Sequence, residues 1–106
     1  MEISFQTKEL QSLCSDDLIA DQKLGICIAE ALRNRLNDIR AADSVHELLA
    51  GRPRAARYGD QDCYRLDIGD EAWLTLIPNH IKPRLDADGR PDWDRVRRVR
   101  VMEVGN

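Results

Sequence analysis

Two short runs of alternating apolar and polar residues, 63–68 and 72–77, most constrain what this chain can fold into. The three polar residues 69–71 separate them, which favours an antiparallel hairpin. A third alternating run follows at 96–104, and a long amphipathic stretch precedes all three. Helices followed by a meander of strands predict a small α+β domain, in which an N-terminal strand and helices pack on an antiparallel sheet.

The amphipathic stretch carries a single apolar stripe. Its apolar residues recur at steps of four and three, as they do on one face of a helix. They are Leu24, Ile28, Leu32, Leu36 and Ile39. Charged and amide side chains occupy the positions between them. This pattern predicts one long helix packed on the sheet, with its first turns frayed or bent because Gly25 costs about 1 kcal/mol relative to alanine.

Weaker local signals define the rest of the chain. The expected segments are a strand at 2–6, a first helix capped by Thr7, a break at 15–17, a capping box from Ser44 to Glu47 leading into one or two helical turns, a polar loop at 52–62 and a long excursion at 78–95. A chain of 106 residues predicts one domain spanning 1–106. No long apolar run and no signal peptide is visible, so the expected location is the cytoplasm, away from membranes.

Few residues suggest catalysis by a thiol, a metal or a histidine. Three cysteines without metal-ligand spacing predict free thiols, with a catalytic Cys63 as the alternative. The aspartates at 86–94 do not follow the spacing of a calcium loop, so we expect no metal and no cofactor. His46 should be a surface residue without a partner. His80 follows a strand end and is the only histidine placed to act as a general base.

Arginines form the strongest chemical signal in an otherwise acidic chain of net charge −3. Residues 52–106 hold 11 basic and 10 acidic side chains, against 5 and 9 in residues 1–51. RNA cleavage at a 2′-hydroxyl needs a base, an acid and cations for the phosphate. We therefore expect His80 as base and Arg65 as phosphate clamp. The expected RNA-binding residues are Arg52, Arg54, Arg57, Lys82, Arg84, Arg98 and Arg100. The alternative is that these cations pair with the aspartates and keep the surface solvated.

The order and spacing of several segments resemble one protein family. These segments are residues 1–10, 32–42, 43–51, 78–83, 88–93 and 98–104, including Pro78-Asn79-His80 and Asp88-Gly89-Arg90-Pro91-Asp92-Trp93. Together they resemble the RelE/ParE superfamily of type II toxins, especially its HigB-like killer-protein branch. The resemblance covers nearly the whole chain and depends on segment order rather than on a single motif.

This resemblance implies a growth-inhibiting toxin that cleaves mRNA on the ribosome and is neutralised by a cognate antitoxin, expected to be a small helix-turn-helix protein. Family active sites use basic residues around the hairpin and a Tyr-His or similar pair near the C-terminus. Here Trp73 takes the place of the usual hairpin arginine, and the chain reaches Val104-Gly105-Asn106 without that pair. The resemblance therefore implies either an endoribonuclease with weakened activity or, alternatively, a non-catalytic or ParE-like toxin that binds a protein.

Overall fold

Five strands and three helices make up the part of the chain that this computed structural model describes, residues 1–80, 82 and 84–106. The strands are β1 (Glu2–Phe5), β2 (Arg54–Tyr58), β3 (Gln61–Ile68), β4 (Ala72–Pro78) and β5 (Arg98–Gly105). The helices are α1 (Lys8–Ser15), α2 (Asp17–Leu24) and α3 (Ile26–Ala41), with single 3-10 turns at Val45–Glu47 and Trp93–Arg95. None of the described helices is long and apolar enough to cross a membrane.

All five strands belong to one sheet, in the order β1-β5-β4-β3-β2. The β2, β3, β4 and β5 strands pair antiparallel, and β3 and β4 form the hairpin that the sequence predicts. The first strand joins the last in parallel, so the sheet is mixed rather than wholly antiparallel. The chain between these two strands, which contains the three helices and β2 to β4, is long enough for the connection that a parallel pair requires. The α+β class predicted from the sequence is confirmed.

The long helix predicted from the apolar stripe is divided at Gly25. This glycine has a φ of 83°, a backbone conformation that favours glycine, and its N–H donates to the carbonyl of Asp21 at 3.0 Å to close α2. A new helix, α3, begins at the next residue. The prediction of one frayed helix was wrong because Gly25 ends one helix and begins another, and Leu24 consequently belongs to α2.

The apolar stripe of α3 forms the centre of the core. Leu32, Leu36 and Ile39 are each no more than 1% exposed, and Ile28 is half-buried beside them. They pack in one cluster with apolar residues of the three central strands, which are Leu66, Ile68, Ala72, Leu74, Leu76, Val99 and Val101. The stripe thus packs on the sheet as the sequence predicts.

Residues 52–62, predicted as a loop, contain an edge strand. The β2 strand pairs with β3 from Arg54 opposite Arg65 to Tyr58 opposite Gln61. Its sequence, Arg-Ala-Ala-Arg-Tyr, lacks the alternation of large apolar residues that marks a half-buried strand, which explains the error. The Ser44–Glu47 capping box is present, and a single 3-10 turn accompanies it, the shorter of the two lengths that the sequence predicts.

One face of the sheet contributes no residue to the hydrophobic cluster between the helices and the sheet. The register places a second set of residues on the face opposite the helices, and none of them belongs to the core cluster. We call this the open face. Its residues are Glu2, Ser4, Arg54, Ala56, Tyr58, Gln61, Cys63, Arg65, Asp67, Trp73, Thr75, Ile77, Arg98, Arg100, Glu103 and Gly105.

A β-bulge in the last strand determines what this face contains. Leu76 pairs with Val101, but its neighbour Thr75 pairs with Glu103, so β5 holds one extra residue, Met102. A bulge shifts the alternation by one position and re-aims the side chains beyond it. Glu103 consequently shares the open face with Arg100. Strict alternation would have placed Glu103 on the helix side.

We expect Leu32→Ala to lower the free energy of unfolding by about 2–5 kcal/mol, because it leaves a cavity between α3 and the sheet. Leu18→Ala is a matched control, since Leu18 is 66% exposed, and it should change stability by less than about 0.5 kcal/mol. Denaturant titration of both variants measures the difference. Equal losses would contradict the packing described for α3.

Candidate nucleic-acid interface

The open face carries four arginines and three carboxylates. The arginines are Arg54, Arg65, Arg98 and Arg100, and the carboxylates are Glu2, Asp67 and Glu103. Arg54 and Arg65 are directly opposite each other on neighbouring strands, an arrangement that like charges normally disfavour. The positive excess on this face is therefore small. What the face can bind depends on which cations are already neutralised.

Asp67 neutralises the first arginine cluster. Its carboxylate accepts a hydrogen bond from Arg52 Nε at 2.6 Å and forms an ion pair with Arg54 at 3.2 Å. Burial pushes the pKa of this carboxyl upward, but the hydrogen bonds and charges of Arg52 and Arg54 outweigh it and hold the pKa below its usual value. Arg52 and Arg54, both predicted to bind RNA, are thus held by a carboxylate of the same face.

Arg65 lies at one end of a polar row that crosses three strands. Its Nε donates to Thr75 Oγ1 at 3.4 Å, and the same hydroxyl is 3.4 Å from Glu103 Oε1. Thr75 is fully buried beneath these side chains although it belongs to the open face. Among the described residues, no carboxylate lies within ion-pair distance of Arg65. The row leaves a guanidinium held in position but not neutralised.

Trp73 packs against the end of the last strand. Its indole Nε1 donates to Glu103 Oε1 at 2.8 Å, and the ring covers Gly105. A methyl group at residue 105 would be 2.4 Å from the indole Cε2, so only glycine fits beneath the ring. The ring is half-buried. The indole is therefore fixed by the sheet through its Nε1–H and through its contact with Gly105.

Arg100 is held at the other end of the face by neutral groups. Its guanidinium donates to Asn79 Oδ1 at 2.8 Å and to Gln6 Oε1 at 3.4 Å, and Asn79 in turn donates to Ser4. No ion pair with a carboxylate is found for Arg100 among the residues that the structure describes. Arg65 and Arg100 lie on the two strands that flank β4. The spacing between strands and the rise per residue place their Cα atoms roughly 12 Å apart.

The remaining predicted RNA-binding residues are less available. Arg57 forms an ion pair with Asp62 at 2.9 Å on the helix side of the sheet, and Arg98 forms one with Glu2 at 3.0 Å. Lys82 and Arg84 are exposed beyond the end of β4, and no described contact brings them to the open face. Neighbouring Ile81 and Pro83, from the predicted family-like insertion, lie outside the described residues.

The structure does not bring His80 and Arg65 together. Arg65 is opposite Thr75, and His80 lies five positions further along the chain, beyond the end of β4 at Pro78, or roughly 16 Å away along an extended chain. His80 Nε2 accepts the backbone N–H of Arg97 at 3.0 Å and of Arg98 at 3.3 Å, so its lone pair is already used to fix the start of β5. His80 Nε2 therefore has a structural role, and it could accept a proton from RNA only after both hydrogen bonds to the backbone are broken.

The other candidate nucleophiles and bases also lie away from the open face or are inert. His46, expected to have no partner, lies 3.1 Å from Asp94 and contacts Tyr64 edge-on. Cys63 is fully buried, and burial raises the pKa of its thiol, which opposes a catalytic role. No group of three or more potential metal ligands is found among the described residues.

Glu103, Thr75 and Trp73 are site residues that sequence reasoning missed or misplaced. Glu103 reaches the open face only because of the bulge, and the sequence contains a signal for this bulge. The apolar positions of β5 run Val99, Val101 and then Val104, which is a change of phase after Val101. A bulge is the usual cause of such a shift in a strand that keeps its apolar face buried.

No family model matches this chain, and no curated protein or solved structure matches it either. The chemistry of the open face is therefore the basis for assigning a function.

Acid should remove the stabilisation that the Asp67 cluster provides to the fold. The folded pKa of Asp67 lies below the unfolded value of about 3.9, so its stabilisation is complete above that value and is lost as the pH falls through the folded pKa. We expect Asp67→Asn to be less stable than the parent at pH 7, with the difference shrinking below about pH 4. Asp60→Asn in the exposed β2–β3 turn is the control. An unchanged difference at low pH would contradict the cluster's role.

Proposed function

We propose that this protein is a toxin of a type II toxin–antitoxin system, similar to the RelE and HigB-like ribosome-dependent mRNA endoribonucleases, and that its open face binds single-stranded RNA. The observation that carries the proposal is the pair of guanidinium groups, Arg65 and Arg100, held on this face by neutral hydrogen-bond acceptors without a carboxylate partner. The order of strand, helices and meander is also what the family resemblance implies.

An arginine held this way is suited to an incoming phosphate. Guanidinium groups bind phosphate oxygens through paired hydrogen bonds, and a fixed side chain loses less freedom on binding than a mobile one. Thr75 and Asn79 fix the two guanidinium groups without cancelling their charge. In contrast, Arg52, Arg54 and Arg57 would have to release an aspartate before meeting a phosphate.

We propose that cleavage by this chain is slow. The His80 lone pair is committed to the backbone, and Trp73 stands where the family keeps an arginine. Each lost group that stabilises charge on the scissile phosphate commonly costs about 10²–10³ in rate. The function that remains is RNA binding at the ribosome with weak cleavage, which a cognate antitoxin would suppress by covering the open face.

A second candidate is a toxin that acts by binding a protein, as ParE-like proteins do. It is favoured by two large apolar side chains exposed on neighbouring helices, Leu18 of α2 at 66% and Ile26 of α3 at 69% exposure. Exposed apolar residues of this size fit a protein interface better than an RNA interface. Growth arrest without RNA cleavage or RNA binding would support this candidate.

The RNA-binding face can be tested by substitutions of opposite sign. We expect Arg65→Gln and Arg100→Gln each to weaken binding of a single-stranded oligoribonucleotide and to lower the slope of log K against log salt by about 0.7. Asp67→Asn should strengthen binding, because it releases Arg52 and Arg54. Fluorescence anisotropy at several salt concentrations measures all three.

The matched control is Arg57→Gln, which removes the same charge from the helix side of the sheet, where Asp62 already pairs with it. Arg33→Gln on α3 is a second control. If all variants weaken binding equally, bulk charge alone attracts RNA and no site exists.

Expression in cells tests the biological role. We expect growth arrest on induction, relief by the antitoxin, and mRNA cleavage on ribosomes that sequencing of the 5′ ends can map. Arg65→Gln should reduce both arrest and cleavage, whereas Arg57→Gln should reduce neither. Efficient cleavage that survives both Arg65→Gln and His80→Ala would place the chemistry elsewhere on the molecule.

A further inference from the structure

The indole of Trp73 is built into the open face in a way that core packing does not explain. Trp73 does not belong to the hydrophobic core cluster, although it is one of the largest apolar side chains in the protein. Its ring is nevertheless fixed by a hydrogen bond to Glu103 and by contact with Gly105. A large aromatic ring held rigid on a polar sheet face is suited to contact with another flat group.

We propose that Trp73 is a stacking platform for a base of single-stranded RNA, with Arg65 beside it to bind the adjoining phosphate. This inference rests on the proposed RNA-binding function and adds the ligand class: an unpaired nucleobase, rather than the sugar–phosphate backbone alone. Base–aromatic stacking is the common way in which single-stranded RNA is held on sheet surfaces.

The charge balance of the face favours this ligand. Four arginines face three carboxylates there, and the whole chain carries a net charge of −3, so electrostatic attraction for RNA is weak. A contact that does not depend on charge is needed to hold the strand. Stacking provides such a contact, because every base presents a flat π surface.

The geometry is also preorganised for stacking. Glycine at position 105 lets the indole lie against the strand, and the Glu103 carboxylate fixes its in-plane orientation at 2.8 Å. Glu103 is in turn placed on this face by the bulge in β5. Because the ring is already ordered, little side-chain freedom is lost when a base stacks on it.

Tryptophan fluorescence provides a direct test. The protein has two tryptophans, and Trp93 packs against Tyr64 on the helix side, with ring centroids 4.9 Å apart and the ring planes tilted by 57°. In a Trp93→Phe protein, Trp73 is the only tryptophan, so excitation selective for tryptophan reports on it alone. We expect a single-stranded oligoribonucleotide to quench this emission in a saturable way, and an abasic oligomer with the same phosphates to quench it little and to bind about 5- to 150-fold more weakly.

Variants of the platform give a second readout. Trp73→Ala should weaken binding of the base-containing oligomer by about 5- to 150-fold and leave the abasic oligomer nearly unaffected. Gly105→Ala should have the same selectivity because it displaces the ring while retaining the indole. If either variant fails to fold, the comparison of the two oligomers on the Trp93→Phe protein still decides the question.

The outcomes separate this inference from the function on which it rests. If neither oligomer binds, both the RNA-binding face and the stacking platform are overturned. Binding that is salt-dependent and sensitive to Arg65→Gln, but equal for the two oligomers and without quenching of Trp73, would overturn the stacking platform and leave the RNA-binding face intact. Base-dependent quenching that is lost in Gly105→Ala supports the platform.

Discussion

Burial of one stripe of α3 against the sheet is the constraint on which the rest of the structure depends. Leu32, Leu36 and Ile39 supply apolar surface to one side of the central strands, and every core residue of those strands points toward them. The other side of the same strands is thereby left without a packing partner. Buried groups on that side, such as Thr75, must be covered and hydrogen-bonded by neighbouring side chains, and they are.

The content of the open face is decided by small backbone features rather than by large elements. One extra residue in β5 moves Glu103 across the sheet, and a missing Cβ at residue 105 makes room for the indole of Trp73. Neither feature alone would fix the indole, since the Glu103 carboxylate accepts its hydrogen bond and Gly105 leaves space for the ring. The arrangement thus depends on three residues of two neighbouring strands acting as a unit.

The sequence predicted the elements that follow from local periodicity. The apolar stripe, the hairpin around 69–71 and the capping box are all found because their signals lie within a few residues of one another. The edge strand β2 was missed because an edge strand with small and charged residues has no alternation to read. The division at Gly25 could not be distinguished from a weakened helix, because a glycine at this position is compatible with both.

The candidate site was less predictable, because it depends on contacts between distant residues. The sequence identifies Arg65 and Arg100 as basic, but their lack of carboxylate partners follows only from strand register. The sequence suggests His80 as a base, but it does not show that the backbone N–H groups of Arg97 and Arg98 occupy the Nε2 lone pair. Local chemistry suggested the type of residue, and the fold decided which of them remain available.

The position of β2 at the end of the sheet gives its arginines a second consequence. An outer strand presents unpaired N–H and C=O groups that can template another chain, and charged residues on it discourage such pairing. Arg54 and Arg57 flank Ala55 and Ala56, which would otherwise leave a short, flat, uncharged ribbon. Charged side chains at these two positions therefore disfavour edge-to-edge pairing between copies of the protein, independently of any contact with RNA.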